Sequence, residues 1–299
     1  MYNANPVVTV PDQNRIVKGL ERPDLFTVVF DQVMTDTALY ADIVLPATTF
    51  LEHTELSTSY GTYTVMLGEP VIDPVGESKP NEEVFGLIMA RMGIEDRAPR
   101  GESLIKSALA AMEGPIANGG GADGDGGARL ERLRRDRVLG FDFPGPRPVQ
   151  FKTAFPKSAH GKADLWPAAL GADPYRVLDD PGDTRHPLAL ISPATDKTIS
   201  STLGEYNHDD VRLEMHPDDA AARHLSDGQE VRVHNELGEV QVRLRINAGV
   251  RPGVIFLPKG IWNRHTKNGR VGTALVPDDV SAVSGGACFN DARVEVAPV

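Results

Sequence analysis

Thr35-Asp36-Thr37-Ala38-Leu39-Tyr40-Ala41-Asp42-Ile43-Val44-Leu45-Pro46-Ala47-Thr48-Thr49-Phe50-Leu51-Glu52 runs from a turn, through one short helix, into an apolar strand and out again. Thr35 is placed to cap a brief helix reaching Tyr40, because a threonine oxygen can accept an early helical N–H. Ile43-Val44-Leu45 is a β-branched apolar run that Pro46 stops, since proline brings no ladder donor. Just upstream, Leu25-Phe26-Thr27-Val28-Val29-Phe30 is a second such run ending at Asp31, as expected of a strand buried on both faces.

Working outward, Pro80 to Met92 reads as a helix, with Glu82 and Glu83 in its first turn and Gly93 just past its end. Val84, Leu87, Ile88 and Met92 fall on one side of it. Residues 1–112 therefore read as an α/β portion. Residues 113–185 read as a connector opened by Gly119–Gly127, where six of nine residues are glycine and a mobile loop is expected. That run has two acids and no Lys-Ser/Thr ending, so it does not read as a phosphate loop. A basic helix over 128–138 and a proline-punctuated stretch over 143–167 follow.

From residue 186 to 299 the pattern changes to short strands and turns. Leu188–Ile191 is an apolar strand that runs into the polar loop Ser192–Thr202, and Pro217–Arg223 is a short helix. Val231–His234 and Val240–Ile246 alternate cleanly across Asn235–Glu239, which predicts a hairpin. Val254–Pro258 and Ala292–Val296 add strands, and the set predicts a closed β-barrel.

Several candidate sites read as ordinary structure. Glu52, His53 and Glu55 fit neither a zincin helix nor a calcium loop, and adjacent residues point in different directions, so no metal site is assigned. His208, His216 and His224 recur every eight residues, but His216 precedes the Pro217 helix and His224 ends it, about 12 Å away, where it suits the helix dipole. The single cysteine, Cys288, excludes a disulfide or a cysteine metal cage, and its flanks Ala287 and Phe289 predict a buried, inert thiol. A formal charge of −11 argues against nucleic acid, and no apolar run reaches bilayer length. Neither membrane insertion nor a signal peptide is expected, and a cytoplasmic protein is the simplest reading. No catalytic residue is assigned. Ser192–Thr202 is the most promising loop, because its hydroxyls, backbone N–H groups and Lys197 suit a pterin or diphosphate.

Taken in order, these segments resemble the molybdopterin oxidoreductases, which are built around a molybdenum or tungsten bis-pterin-guanine-dinucleotide cofactor. Tyr2-Asn3-Ala4-Asn5-Pro6 resembles the family's strand-end Asn-Pro turn, and Phe30–Glu52 is similar to its strand, Thr-x-Thr-Ala turn and Ala-Asp-Ile-Val-Leu-Pro-Ala-Thr-Thr segment. Phe155-Pro156 with Gly161–Leu165 looks like the connector to the last domain. The loop, helix, hairpin, Arg251–Ile255 and Gly285–Val296 are similar to the dinucleotide-binding domain. The resemblance implies an incomplete Rossmann-like α/β portion followed by a double-psi β-barrel, together forming about the last two-fifths of such an enzyme.

It further implies cofactor contact by Asn5, Ser192, Lys197, Ser200, Ser201, Thr202, Thr273 and Asn290. Thr273 departs from the asparagine usual there, keeping one donor and losing the amide's bidentate reach. The metal ligand and any iron–sulfur cysteines would lie upstream, so this chain alone is expected to be inactive. It would pair with a missing N-terminal half or with a separate catalytic subunit, acting on a small molecule such as formate, nitrate, a sulfoxide or an oxyanion. A non-catalytic cofactor-binding subunit and a structural relative that has lost the cofactor are the alternative readings.

Overall fold

The polypeptide begins by donating two small helices to a barrel whose first strand starts only at Leu188 and whose last ends at Pro298. A computed structural model describes residues 1–95, 97–112, 125–141, 161–166, 168, 171, 185–206, 211–281 and 285–299. Two compact units result, one of residues 1–45 with 168–299 and one of residues 46–167. The connector segments Gly119–Gly124, 143–160 and His208 lie outside the described residues.

In the first unit, α1 (Pro6–Thr9) and α2 (Gln13–Leu20) come before strands β1 (Val28–Asp31) and β2 (Ile43–Pro46), which pair with each other. Pro6 opens α1 where its missing N–H does no harm, and Asp12 caps α2 by accepting from the Arg15 N–H. Val7, Val8, Val17 and Leu20 enter the same core as the barrel residues. That is why the compact unit does not follow the sequence division at 112 and 186: the first 45 residues bury their apolar side chains against the barrel. β1 starts later than the apolar run suggested, and Leu25 and Phe26 are exposed. The turn after it forms as read, with Thr35 Oγ1 accepting from the Ala38 N–H at 3.1 Å at the start of a short 3-10 helix, Ala38–Tyr40.

The second unit pairs β3 (Glu55–Thr58), β4 (Thr64–Gly68) and β5 (Val138–Gly140) as an antiparallel sheet in that order. Its helices are α3 (Asn81–Arg91), α4 (Glu102–Ala111) and α5 (Gly126–Asp136). Val65, Leu67, Leu109, Leu130, Leu133 and Leu139 form the core. The end of the glycine run is not a loop here: Asp125 caps α5 through the Gly127 N–H, and a Cβ at Gly126 would lie 1.9 Å from the Lys106 carbonyl oxygen. Only glycine allows α5 to approach α4 that closely. α3 forms over the expected span, yet of its apolar side only Val84 is buried, while Leu87, Ile88 and Met92 are exposed. Among the described residues of 1–112 the strand pairings are β1–β2 and β3–β4, with isolated parallel bridges Tyr2–Phe30 and Ala47–Lys79, and the Rossmann-like reading of that region rests on the resemblance.

The barrel closes from β6 (Leu188–Ile191), β7 (Arg212–Met215), β8 (Glu230–His234), β9 (Glu239–Ile246), β10 (Val254–Phe256) and β11 (Arg293–Pro298), in the order β10-β6-β11-β8-β9-β7. β10–β6 and β7–β9 are parallel, and the other four pairings are antiparallel. Leu188, Leu190, Leu213, Met215, Val231, Val233, Val240, Val242, Leu244, Ile255, Val294 and Val296 are buried at every second position, as a pleated wall around a filled interior requires. The hairpin register pairs Val231 with Val242 and Val233 with Val240, so one-residue slippage would turn four valines to solvent.

α6 (Pro217–Ala221) is shorter than the sequence suggested. His216, not an Asp or Ser, caps it by accepting from the Asp218 N–H at 3.1 Å. His224 lies past the helix at φ +56, its N–H donating to the Ala221 carbonyl.

Candidate ligand-binding cavities around the 192–204 loop

β6 ends at Ile191, and the chain leaves the barrel through a loop held at several points. The Ser192 N–H donates to Asn290 Oδ1 at 3.2 Å, and the Lys259 N–H donates to the Pro193 carbonyl at 3.0 Å. Thr198 Oγ1 donates to the Lys259 carbonyl at 3.0 Å. Farther on, Trp262 Nε1 donates to the Ser201 carbonyl at 2.9 Å, and a Cβ at Gly204 would stand 2.0 Å from the same indole ring. Ser200 and Leu203 are held at positive φ, +57 and +70, a conformation these residues adopt only when surrounding contacts impose it.

Ser200-Ser201-Thr202 separates two cavities. One, of about 240 Å³, is lined by Ser192, Ser200, Gly260, Thr273, Lys259 and apolar neighbours including Val8, Ile261 and Phe289. Ser192 Oγ and Thr273 Oγ1 are buried in its wall without any hydrogen-bond partner. The other, of about 280 Å³, is lined by Asn5, Asp31, Thr35, Ser201, Thr202, Glu205 and Trp262 among others. Asn5 is 3% exposed, and its Oδ1 accepts from Thr37 N at 3.1 Å and Thr37 Oγ1 at 2.7 Å. A backbone N–H can only donate, which fixes the amide oxygen toward Thr37 and leaves Asn5 Nδ2 buried and unpartnered. Buried polar atoms are nearly always satisfied, so these three atoms around two adjacent cavities are candidates for a water or ligand partner.

The sequence candidates therefore separate. Ser192, Ser200 and Thr273 meet in the first cavity, and Asn5, Ser201 and Thr202 meet in the second. Lys197 lines a third, of about 270 Å³, beside Arg212, Glu214 and Arg245. Asn290 acts on Ser192 through its side-chain oxygen. Sequence reading missed Gly260, Lys259, Asp31, Glu205 and Trp262, none of which stands in a pattern that marks chemistry. Burial pushes the Asp31 carboxyl above the usual carboxylate range; the Gln32 N–H opposes this and the nearby Glu205 charge adds to it. Burial likewise raises Asp36, against the Asn263 N–H and the charges of Arg264 and His265. Cys288 is half-buried, not buried as expected, and desolvation followed by Asp291 and Asp279 keeps its thiol protonated.

In the second unit, Glu52 and His53 face different partners. Glu52 Oε2 accepts from the Thr49 N–H at 2.6 Å and Thr49 Oγ1 at 2.7 Å, while Oε1 accepts from the Val75 N–H at 2.7 Å and Ser78 Oγ at 3.2 Å. His53 Nδ1 meets Thr48 Oγ1 at 2.9 Å. The four donors, led by the Thr49 and Val75 N–H groups, lower the Glu52 carboxyl to about 2. A depressed folded pKa stabilises above the unfolded value and is lost as pH falls toward the folded one. The thermal midpoint should therefore drop between pH 4.5 and 2, and Glu52→Gln should lower it at pH 7 while flattening that acid slope. Identical slopes in the variant and parent would remove Glu52 from the acid transition.

The sequence and the fold both have counterparts among known proteins. Residues 1–91 match the family described as molybdopterin oxidoreductase, and residues 190–293 match the one described as "Molydopterin dinucleotide binding domain". A probable oxidoreductase, YoaE, of Bacillus subtilis is 33% identical over 311 residues, covering 100% of this chain and 44% of that protein. A dimethyl sulfoxide/trimethylamine N-oxide reductase of Rhodobacter capsulatus is 29% identical over 94% of this chain and 37% of its own length. Acetylene hydratase from Pelobacter acetylenicus shares the fold, with a TM-score of 0.75 at 20% identity over 99% of this chain and 43% of that one. The chain spans about two-fifths of the length of the curated relatives it matches.

Proposed function

This chain belongs to the molybdopterin oxidoreductases, and from that premise we propose that it forms one wall of a bis-molybdopterin-guanine-dinucleotide site, as the C-terminal portion of an enzyme for a small substrate. The carrying observation is the trio of unpartnered buried polar atoms, Ser192 Oγ, Thr273 Oγ1 and Asn5 Nδ2, on either side of one pinned loop. A two-ended ligand rich in ring nitrogens, oxo groups and phosphate oxygens suits such donors, so the residues present fit the group.

When bound, the molybdenum or tungsten of the cofactor supplies the two-electron redox or oxygen-atom-transfer chemistry. This chain's residues bind and orient. Ser192 and Thr273 would donate from a cavity lined largely by apolar side chains, where a hydrogen bond is stronger than in bulk water. Asn290 fixes the Ser192 backbone, and the strained Ser200 is held ready instead of being ordered on binding, which reduces the entropy lost. The matches at 1–91 and 190–293 support reading 1–112 as an α/β portion and 186–299 as the dinucleotide-binding domain, with 113–185 between them. The two parallel pairs in the six-stranded barrel support the double-psi arrangement. Among the described residues no helix is long and apolar enough to cross a membrane.

A second reading, a separate cofactor-binding subunit that pairs with a catalytic chain, is favoured by one feature. α3 and the turn after it leave Phe85, Leu87, Ile88, Met92 and Ile94 exposed together, more apolar surface than a lone helix normally presents.

Ser192→Ala with Thr273→Val tests the proposal. Both hydroxyls are buried without partners, so removing them should leave stability unchanged or raise it by about 1 kcal/mol, while weakening binding of released dinucleotide cofactor about tenfold. A double variant that unfolds more easily and binds equally well would mean that the hydroxyls serve the fold.

A further inference from the structure

Two histidines outside the cavities meet where the chain enters β6. His186 stands two residues before that strand with its side chain only 9% exposed, and its ring lies edge-on to that of His234, at the end of β8, with 5.9 Å between centroids. His186 Nδ1 is 3.4 Å from Glu236 Oε2, and Glu236 Oε1 meets Arg185 at 2.5 Å. No hydrogen bond or ion pair engages the His234 ring among the described residues.

The charges around His234 suit a neutral ring. Arg232, two residues earlier on β8, opposes a positive charge there, as does His186. Glu239 faces it from β9 and Glu295 from β11, and both favour one. Yet both acids are already engaged: Glu295 by Arg223 at 2.5 Å, and Glu239 by Gln241 Nε2 at 2.9 Å with Arg232 at 3.9 Å. Burial, then Arg232 and His186, hold His234 below the ordinary histidine range. The next residue reaches the wall of the first cavity. Asn235 Nδ2 donates to the Leu275 carbonyl at 2.8 Å and the Arg293 carbonyl at 3.1 Å. Leu275 ends the short 3-10 helix Gly272–Leu275, whose Thr273 lines that cavity.

We infer that the His186–His234 contact is a pH-sensitive clamp, which packs the 235–239 turn against the cavity wall while the rings are neutral and slackens the hold of Asn235 on Leu275 when acid charges both. Two imidazolium rings at this separation lie within the Debye length of about 8 Å at physiological ionic strength, so salt does not remove their repulsion. A histidine disfavoured as a cation in the folded chain contributes stability that is present above its unfolded value of 6.5 and is lost as pH falls through that value toward the folded one. The loosening is local, because the core pairs Val231–Val242 and Val233–Val240 involve neither ring. The clamp acts on the wall whatever occupies the cavity, so it stands apart from the cofactor reading.

Amide hydrogen exchange of the full chain at about pH 7.5 and about pH 5.5, expressed as protection factors to remove the intrinsic pH dependence, tests it. Protection of the Asn235, Leu237, Ala274 and Val276 amides, all hydrogen-bonded in the structure, should fall at least about tenfold at the lower pH. The β7–β9 ladder and α5 should hold within about threefold. His234→Phe keeps an edge-on ring that cannot titrate and should retain local protection at both pH values. His234→Gln removes the charge without the ring and serves if the phenylalanine variant does not fold. No loss in the parent, an equal loss across the whole barrel, or the same local loss in a folded His234 variant would overturn the inference. The parent also answers through its imidazole proton resonances: His234 should titrate below the ordinary histidine value and rise toward it in His186→Gln. An ordinary titration of His234, unmoved by that substitution, would equally overturn the clamp.

Discussion

Replacing Gly260 with alanine is expected to destabilise the barrel unit by about 2–4 kcal/mol, among the largest effects of any single methyl in this chain. Gly260 sits at φ +82, and an added Cβ would stand 1.8 Å from the Ser200 carbonyl oxygen and 2.8 Å from its carbon. Both neighbours are backbone, so no side chain can swing aside. Relief requires moving either the 258–261 turn, which Lys259 ties to Pro193, or the Ser200 loop, which Trp262 ties at Ser201. Urea unfolding followed by circular dichroism would measure the loss. A change below about 1 kcal/mol would show that the loop shifts freely, contrary to the rigid wall described above. The variant should also lose ligand binding, because Gly260 and Ser200 line the same cavity.

Arg129→Ala should destabilise the second unit by about 3 kcal/mol. Arg129 is 2% exposed on α5, and its guanidinium donates to the Leu109 carbonyl at 2.7 Å and the Met112 carbonyl at 2.8 Å, closing the C-terminal end of α4. Its Cζ also stands 5.7 Å from the centre of the Phe141 ring. Alanine would strand two carbonyls and leave a cavity against Leu109, whereas Arg129→Lys keeps the charge with one donor group in place of the fork, and should recover part of the loss. Denaturation midpoints for the two variants give the comparison. Equal midpoints for Arg129→Ala and the parent would mean that water or a neighbour satisfies both carbonyls.

The barrel was legible because alternation survives in β8 and β9: Val231, Val233, Val240, Val242 and Leu244 mark one face without a break. The second unit was not. Glu55-Leu56-Ser57-Thr58 carries no apolar alternation, and its sheet is finished by β5, a three-residue strand about 70 positions after β4 that local pattern cannot announce. α1 is four residues long, below the length at which periodicity says anything. Periodicity found α3 but misjudged its surroundings, since an apolar stripe reports what a helix can bury and not whether a partner is present.

The site divides the same way. Ser192, Ser200, Ser201 and Thr202 stood out as a hydroxyl-rich loop leaving a strand. Asp31 was read only as the end of an apolar run and Glu205 stood in no pattern, and they become neighbours only when β1 and the loop fold together. Asn5 was reached through resemblance, and its unpaired amide became visible only once Thr37 was seen to occupy the oxygen.

The central claim is that this chain holds a molybdopterin dinucleotide, and cofactor analysis of the protein tests it most directly. The chain would be produced in a host that makes the cofactor and purified without oxygen. Molybdenum, tungsten, oxidised pterin and released GMP would then be quantified against folded protein. The account predicts pterin and GMP in equal amounts with the parent chain, and less of both with Ser192→Ala/Thr273→Val. A folded, monodisperse parent chain that carries neither, and takes up none when released cofactor is added, would contradict it.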